Sequence, residues 1–209
     1  MPSRRHPPAV ALLTVRALRA RGVELASLDL PPGHCVAVRG PSGGGKTLLL
    51  RALADLDPNQ GEVALEGVPR TTIAAPRWRR LVTYLAAEPG WWADTVGEHF
   101  ADWPAAAPII AALGLPADCR DWSIAHASTG ERQRLSLARG LAHGPRVLLL
   151  DEPTSGLDDD ATRRAERLLA GRLAAGMAAL WVTHDEAQAR RMARRRLLVE
   201  GGRTREIPA

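Results

Sequence analysis

One glycine-rich segment, GPSGGGKT at residues 40–47, combines the residue types that together hold a phosphate chain. Its glycines let successive backbone N–H groups approach phosphate oxygens closely. Lys46 supplies positive charge to the β- and γ-phosphates, and Thr47 offers a hydroxyl to Mg²⁺. The segment lies between an apolar strand pattern and a helical one, a setting that a chance glycine-rich turn would rarely have. The predicted nucleoside triphosphate-binding residues are Gly40, Pro41, Ser42, Gly43, Gly44, Gly45, Lys46 and Thr47.

Two carboxylates end an apolar run in RVLLLDEP, residues 146–153. Ligands of open α/β sheets bind at the carboxyl ends of the strands, so we expect Asp151 to hold Mg²⁺ directly or through water. Glu152 would point elsewhere and polarise the attacking water as a general base. An Asp-Glu pair after a strand is common on protein surfaces, and its functional interpretation depends on the phosphate-binding loop upstream.

A histidine ends a second apolar strand pattern, in VTHDEA at residues 182–187. A lone histidine is usually structural. His184, however, follows a strand that we expect to neighbour the one ending at Asp151, and from there an imidazole can reach a γ-phosphate. We therefore predict a catalytic role for His184 beside Glu152.

The elements around these motifs predict an α/β fold. Strand patterns such as CVAV, RVLLLD and AALWVTH alternate with helical patterns at residues 131–143, 160–174 and 185–193. Strands that are apolar throughout are typical of a parallel sheet buried on both faces. Residues 93–125, which are Ala-rich with several prolines, predict short helices in a separate subdomain.

Composition limits the class of protein. The 209 residues are 45% hydrophobic and 4% aromatic, which suits one domain with a core of Leu, Val and Ala, and the net charge of +5 permits several kinds of anionic partner. Cys35 and Cys119 lie far apart, which argues against a zinc site or a disulfide framework and fits a reducing cytosol. Residues 1–8 predict a loose basic tail without the apolar region of a signal peptide. No apolar run approaches the ~20 residues that span a bilayer.

The stretch ASTGERQRLSLARGLA, residues 127–142, opens with small residues and then becomes helical. Ser128 is a good helix N-cap, which is a purely structural interpretation. The free N–H groups of a helix N-terminus also bind phosphate. One geometry serves both roles, so the choice depends on whether a phosphate reaches this helix.

Taken together, these motifs resemble those of the ATP-binding cassette ATPases, the nucleotide-binding subunits of ABC transporters. The resemblance implies an α/β P-loop NTPase core with a mostly parallel sheet, a small antiparallel β part and an inserted α-helical signature subdomain. It implies one domain over residues 1–209, with the catalytic core at about 10–85 and 145–205 and the helical subdomain at about 90–143. The motifs appear in the family's order: Walker A at 40–47, signature at 127–131, Walker B at 147–152, D-loop SGLD at 155–158 and switch histidine at 184.

In this family two chains pack head to tail, and each signature caps the ATP held by the other chain. By resemblance, Ser128 and Gly130 would touch the γ-phosphate of the partner's ATP, with Thr129 and Glu131 beside them, and Asp158 would lie across the same interface. The resemblance further implies Mg²⁺ with ATP as the substrate. The second chain would be another copy of this protein or a paralogous ABC subunit.

Three departures from the family pattern qualify these expectations. The usual signature is Leu-Ser-Gly-Gly-Gln, whereas this chain has ASTGE. The segment YLAAEPGWWADTV resembles the Q-loop, but Ala87 stands at the position of its Gln, with Glu88 beside it as a possible oxygen ligand. The family's adenine-stacking aromatic has no counterpart, because the first aromatic residue is Trp78, and arginines in the segment 15–22 would stack on the base instead.

The resemblance also implies an integral membrane permease as partner, which would hold the chain in the cytoplasm at the inner face of the cell membrane. Trp91 and Trp92 follow the Q-loop and would anchor the permease if they are exposed, or fill the small subdomain if they are buried. The alternative is a soluble ABC ATPase that regulates or assembles a partner, or acts on nucleic acid, without transport. We do not expect nucleic acid as a partner, since the Arg-rich QARRMARRRLL is typical of a solvated surface.

Overall fold

The computed structural model describes residues 11–207, so the tail predicted at residues 1–8 lies outside the described residues. Ten strands occur in this range: β1 Leu13–Ala20, β2 Val23–Leu30, β3 Cys35–Arg39, β4 Gln60–Leu65, β5 Val68–Pro69, β6 Val82–Leu85, β7 Val147–Asp151, β8 Ala178–Val182, β9 Arg195–Glu200 and β10 Arg203–Ile207. Six α-helices accompany them: α1 Lys46–Leu53, α2 Ala75–Leu81, α3 Trp103–Ala112, α4 Thr129–Ala142, α5 Asp159–Ala174 and α6 Glu186–Met192.

All ten strands belong to one sheet with the order β5-β4-β1-β2-β10-β9-β3-β8-β7-β6. The strands from β9 to β6 run parallel to one another, whereas β1 pairs antiparallel with both β2 and β4. Strand β10 joins the two parts, because it pairs antiparallel with β9 and parallel with β2. The predicted α/β fold, with a mostly parallel sheet and a small antiparallel part, is confirmed. The carboxyl ends of β3, β8 and β7 are neighbours at one edge of this sheet.

The parallel strands are buried on both faces, and their side chains divide between two hydrophobic clusters. In β7, Val147 and Leu149 face the cluster that contains α1, while Leu148 and Leu150 face the cluster that contains α4. This alternation follows from the two-residue repeat of a strand. A strand covered on both sides must be apolar at every position, which is why the sequence shows unbroken apolar runs.

The helical region between β6 and β7 supplies and covers the hydrophobic cluster that contains α4. It contains α3, α4 and two short 3₁₀ turns, Gly97–His99 and Ala117–Asp121. Its core residues share one cluster with Leu148 of β7 and Trp181 of β8, so the region lies against the sheet. The division into core and helical subdomain remains a prediction. None of the helices within residues 11–207 has both the length and the apolar character needed to cross a bilayer.

Two helices begin earlier than the sequence pattern predicts, and their caps give the reason. Helix α4 begins at Thr129 instead of 131 because Ser128 is the N-cap residue, and α5 begins at Asp159 instead of 160 because Asp158 caps it. A capped helix begins at the residue after its cap, even where the apolar repeat starts later. The structural N-cap interpretation of Ser128 is thereby confirmed.

Candidate nucleotide-binding site

The glycine-rich loop joins β3 to α1 and folds around its own lysine. Lys46 is 8% exposed, and its Nζ donates hydrogen bonds to the carbonyl oxygens of Gly40 at 2.9 Å and Pro41 at 2.8 Å. Gly40 has a φ of 142°, and a Cβ there would lie 1.9 Å from the carbonyl oxygen of Val199, so only glycine fits. The N-terminus of α1 has no side-chain cap, since Gly45 precedes it. Its first N–H groups are therefore available to an anion.

A buried carboxylate lies beside the start of α1. Asp151 ends β7 and is 5% exposed, and its Oδ2 accepts a hydrogen bond of 2.6 Å from the hydroxyl of Thr47. These two side chains are the predicted Mg²⁺ ligands, and their oxygen donors suit that ion. Among residues 11–207 no group of three or more His, Cys, Asp or Glu side chains could hold a metal. One hydroxyl and one carboxylate match the sparse protein ligand set of Mg²⁺ sites in which substrate phosphates supply further oxygens.

Glu152 and His184, the predicted catalytic pair, contact each other directly. The carboxylate Oε1 of Glu152 lies 2.8 Å from Nε2 of His184. Glu152 has a φ of 50°, in the left-handed region that non-glycine residues rarely adopt, at a cost on the order of 1 kcal/mol. Its backbone N–H donates to the carbonyl of Val182 at 3.1 Å, which holds the turn. In this turn the Glu152 side chain meets His184, which follows β8.

These side chains surround one cavity of about 220 Å³. The carboxyl ends of β3, β8 and β7 bring them together, since those strands are adjacent in the sheet. Gly40 and Pro41 contact Lys46 from behind the cavity. A second cavity of about 540 Å³ adjoins it and shares Glu152 and His184. The residues that line the smaller cavity are Ser42, Gly43, Gly44, Gly45, Lys46, Thr47, Leu48, Asp151, Glu152 and His184.

The signature residues lie apart from this cavity, at the exposed N-terminus of α4. Ser128 and Glu131 form a capping box: the Ser128 Oγ accepts from the Glu131 N–H at 3.3 Å, and Glu131 Oε2 accepts from the Ser128 N–H at 2.8 Å. The Ser128 hydroxyl also donates to Glu131 Oε2 at 2.7 Å. These bonds hold the pKa of the Glu131 carboxyl below its usual value. The helix start therefore carries a negative charge where the family signature has a neutral Gln.

The signature and the D-loop contact each other within the chain. A Cβ on Gly130 would lie 3.6 Å from the Gly156 carbonyl oxygen, and one on Gly156 would lie 3.7 Å from the Thr129 methyl group. Asp158 is exposed and caps α5 by accepting from the Ala161 N–H at 2.7 Å. The exposed Ser128, Thr129 and Asp158 are thus parts of one surface.

The two residues predicted at the Q-loop position do not reach the cavity. Ala87 carries only a methyl group, and Glu88 is exposed. Within the described range, the residues that line the small cavity include neither of them. Glu88 as an oxygen ligand stays a prediction that would need movement of this loop.

Sequence reasoning missed a buried polar network next to His184. Gln188, which is 1% exposed, accepts from the Thr183 hydroxyl at 2.8 Å and donates to Thr154 at 3.0 Å and to Glu166 at 3.1 Å. Glu166 in turn accepts two hydrogen bonds from Arg191. The network joins the segments after β7 and β8, and so fixes Glu152 relative to His184. Polar residues on the inner side of α5 and α6 were the signal that could have indicated it.

A glycine-rich phosphate loop between strand and helix, with acidic residues at the end of a parallel strand one place removed in the same sheet, defines a P-loop nucleotide-binding protein. The chain belongs to the ABC transporter family, whose model, described as "ABC transporter", matches residues 23–155.

Curated relatives agree with this assignment. The chain is 36% identical to Protein STAR1 of Oryza sativa subsp. japonica over 208 residues, which cover 92% of this chain and 60% of the rice protein. It is 41% identical to an aliphatic sulfonates import ATP-binding protein, SsuB 2, of Pseudomonas fluorescens, covering 84% of this chain and 66% of that protein. The chain thus spans less than two thirds of the length of both relatives.

Solved structures share the fold. An ATP-binding subunit of an ABC transporter superposes with a TM-score of 0.85 at 22% identity, covering 95% of this chain and 90% of that one. A dimeric, post-hydrolysis ATP-binding cassette bound to ADP and Pi superposes with a TM-score of 0.82 at 21% identity, covering 94% and 98%.

Proposed function

We propose that the chain is the ATP-hydrolysing subunit of an ABC transporter, which dimerises around two ATP molecules and drives a separate membrane permease. The observation that carries the proposal is the convergence of the phosphate loop, Asp151, Glu152 and His184 on one cavity. The names of the curated relatives, which include import ATP-binding proteins, support a role in transport.

The chemistry follows from the charges around the cavity. Lys46 would exchange its two carbonyl partners for β- and γ-phosphate oxygens. Thr47 and Asp151 would hold Mg²⁺, which neutralises developing phosphate charge. Glu152 would take the proton of the attacking water, and His184, 2.8 Å from that carboxylate, would donate a hydrogen bond to the γ-phosphate or orient Glu152.

Dimerisation would complete each site. The phosphate loop and the signature open to solvent at separate places on the chain, so a signature can meet a γ-phosphate when a second chain supplies it. The exposed surface formed by Ser128, Thr129 and Asp158 would lie in that interface. The partner is a second copy or a paralogous subunit.

Replacing Glu131 by Gln is expected to strengthen ATP-dependent dimerisation about tenfold. The Glu131 carboxylate lies against Ser128, which would face the γ-phosphate, and like charges a few ångströms apart cost roughly 1 kcal/mol or more. An amide removes the charge and can still accept from the Ser128 N–H. The ATP concentration for half-maximal dimer, measured by light scattering in a Glu152→Gln background, tests this.

Glu98→Gln is a matched control, because Glu98 accepts from the N–H and the hydroxyl of Thr95 in the same local geometry. It should leave the half-maximal ATP concentration unchanged. An unchanged or higher concentration for Glu131→Gln would show that this carboxylate does not face a phosphate.

A cluster of Trp91, Trp92, His99 and Arg139 would bind the permease. Trp92 is 70% exposed, whereas Trp91 is partly buried. Of the two tryptophans predicted to anchor the permease, only Trp92 therefore presents most of its ring to solvent. The Arg139 guanidinium lies 4.5 Å from the Trp91 ring centre and 4.7 Å from that of Trp92, and His99 packs its edge against both. A rigid, exposed indole held this way is typical of an interface anchor.

The function is tested by isolating tagged Glu152→Gln protein from detergent-solubilised membranes in ATP and identifying the bound chains. We expect a polytopic membrane protein whose recovery falls at least fivefold with Trp92→Ala. Val68→Ala, which truncates another exposed apolar residue on β5 at the far edge of the sheet, should leave recovery unchanged. A clean dimer with only soluble partners or nucleic acid would support a cassette that works without transport.

A further inference from the structure

The chain contains a single tyrosine, and its hydroxyl contacts the site. Tyr84 lies on β6, which pairs in parallel with β7 so that Tyr84 stands opposite Leu149. Asp151 is two residues beyond Leu149 and therefore on the same face of the sheet. The Tyr84 hydroxyl donates a hydrogen bond of 3.1 Å to Asp151 Oδ2.

Two hydroxyls therefore share one carboxylate oxygen. Thr47 donates to the same Oδ2 at 2.6 Å, so both lone pairs of that atom are engaged. Among the described residues no side chain donates to Oδ1. The two hydroxyls fix the orientation of the Asp151 carboxylate. They hold Oδ2, and Oδ1 points away from both donors.

The two donors differ in what happens when a nucleotide arrives. Thr47 is itself a proposed Mg²⁺ ligand, so its oxygen would turn to the metal. Tyr84 is half-buried, and its ring packs on the hydrophobic cluster that contains α1, so packing as well as the hydrogen bond holds the ring in place. Tyr84 is not a proposed metal ligand, so its hydroxyl can keep its hydrogen bond to Asp151 when Mg²⁺ binds.

We propose that Tyr84 is a positioning residue that holds Asp151 in the orientation needed for Mg²⁺, at the site of the function proposed above. Ala87, at the position of the Q-loop Gln, has no side chain that could ligate the metal. The metal would rely on Thr47 and Asp151, which makes the orientation of Asp151 more important.

The test is Tyr84→Phe, which removes one hydroxyl and keeps the ring. Affinity for a fluorescent ATP analogue is measured with Mg²⁺ and again with EDTA. We expect affinity in Mg²⁺ to fall about tenfold, since outer-shell partners of metal ligands typically contribute 10–100-fold, while affinity in EDTA stays unchanged. Thr83→Val is the matched control, because the neighbouring hydroxyl bonds to carbonyls of Arg79 and Arg80 instead of the site.

An equal loss in Mg²⁺ and EDTA, or no loss in either, would overturn the positioning role. If the nucleotide affinity of the wild-type protein were the same with and without Mg²⁺, the proposed function would be overturned as well, so the two failures are distinguishable.

A second measurement does not depend on the variant. Because the chain has one tyrosine, a ¹³C-tyrosine label gives one resonance set, and we expect the Cζ signal to shift with Mg²⁺ and ATP but not with ATP in EDTA. An unmoved signal with Mg²⁺ present would contradict the proposal.

Discussion

Glu152→Gln is expected to reduce ATP hydrolysis at least about 100-fold, because general-base catalysis typically contributes 10²–10⁴-fold. An amide is nearly isosteric, so the strained turn at residue 152 and the contact with His184 can both persist. Nucleotide binding should survive, since Lys46 and the glycine loop are untouched. The prediction is therefore a separation of binding from turnover.

Phosphate release measures the turnover, and size-exclusion chromatography in ATP measures the trapped state. The variant should elute as a dimer in ATP and as a monomer without it. Glu62→Gln, the same change at an exposed position on β4, should match the wild type in both assays. A variant that hydrolyses ATP fully as a monomer would refute both the general base and the shared site.

Lys46→Ala should weaken ATP binding at least about 100-fold. Within residues 11–207, Lys46 is the only lysine or arginine that lines the cavity, and charge-assisted bonds to phosphate are about twice as strong as neutral ones. The substitution also leaves the Gly40 and Pro41 carbonyls without their donor, which costs about 1–3 kcal/mol if both stay buried.

Fluorescence titration with a nucleotide analogue measures the loss, and urea unfolding separates it from any loss of fold. Lys46→Arg is an informative companion, since a guanidinium keeps the charge but does not fit the turn between two carbonyls. It should bind nucleotide more weakly than the wild type. Retained affinity in Lys46→Ala would mean that the phosphates do not lie beside α1.

Much of the site was predictable because its parts are local in sequence. The spacing from Gly40 to Thr47 needs only a strand, a loop and a helix, and the capping box at Ser128 spans four residues. The parallel sheet was predictable from apolar runs that leave no polar face. Each of these is a short-range pattern with one physical explanation.

The rest depends on which strands become neighbours, and no local pattern states that. Tyr84 and Asp151 meet because β6 and β7 pair in one register. The hydrogen bond between Gln188 and Thr154 joins α6 to the loop that follows β7. Trp91 and Trp92 differ in exposure because only Trp91 packs against the hydrophobic cluster that contains α4, while Arg139 reaches both rings from that helix. Tertiary contacts of this kind require the three-dimensional structure.

The buried ammonium of the phosphate loop has a consequence for labelling chemistry. Lys46 is the only lysine of the chain, and the 27 other basic residues counted with it are arginines. Amine-directed reagents and acetyl transfer therefore have one side-chain target, which lies 8% exposed between two carbonyl groups. Acylation of that single amine, followed by mass spectrometry, reports directly on whether the loop holds a nucleotide.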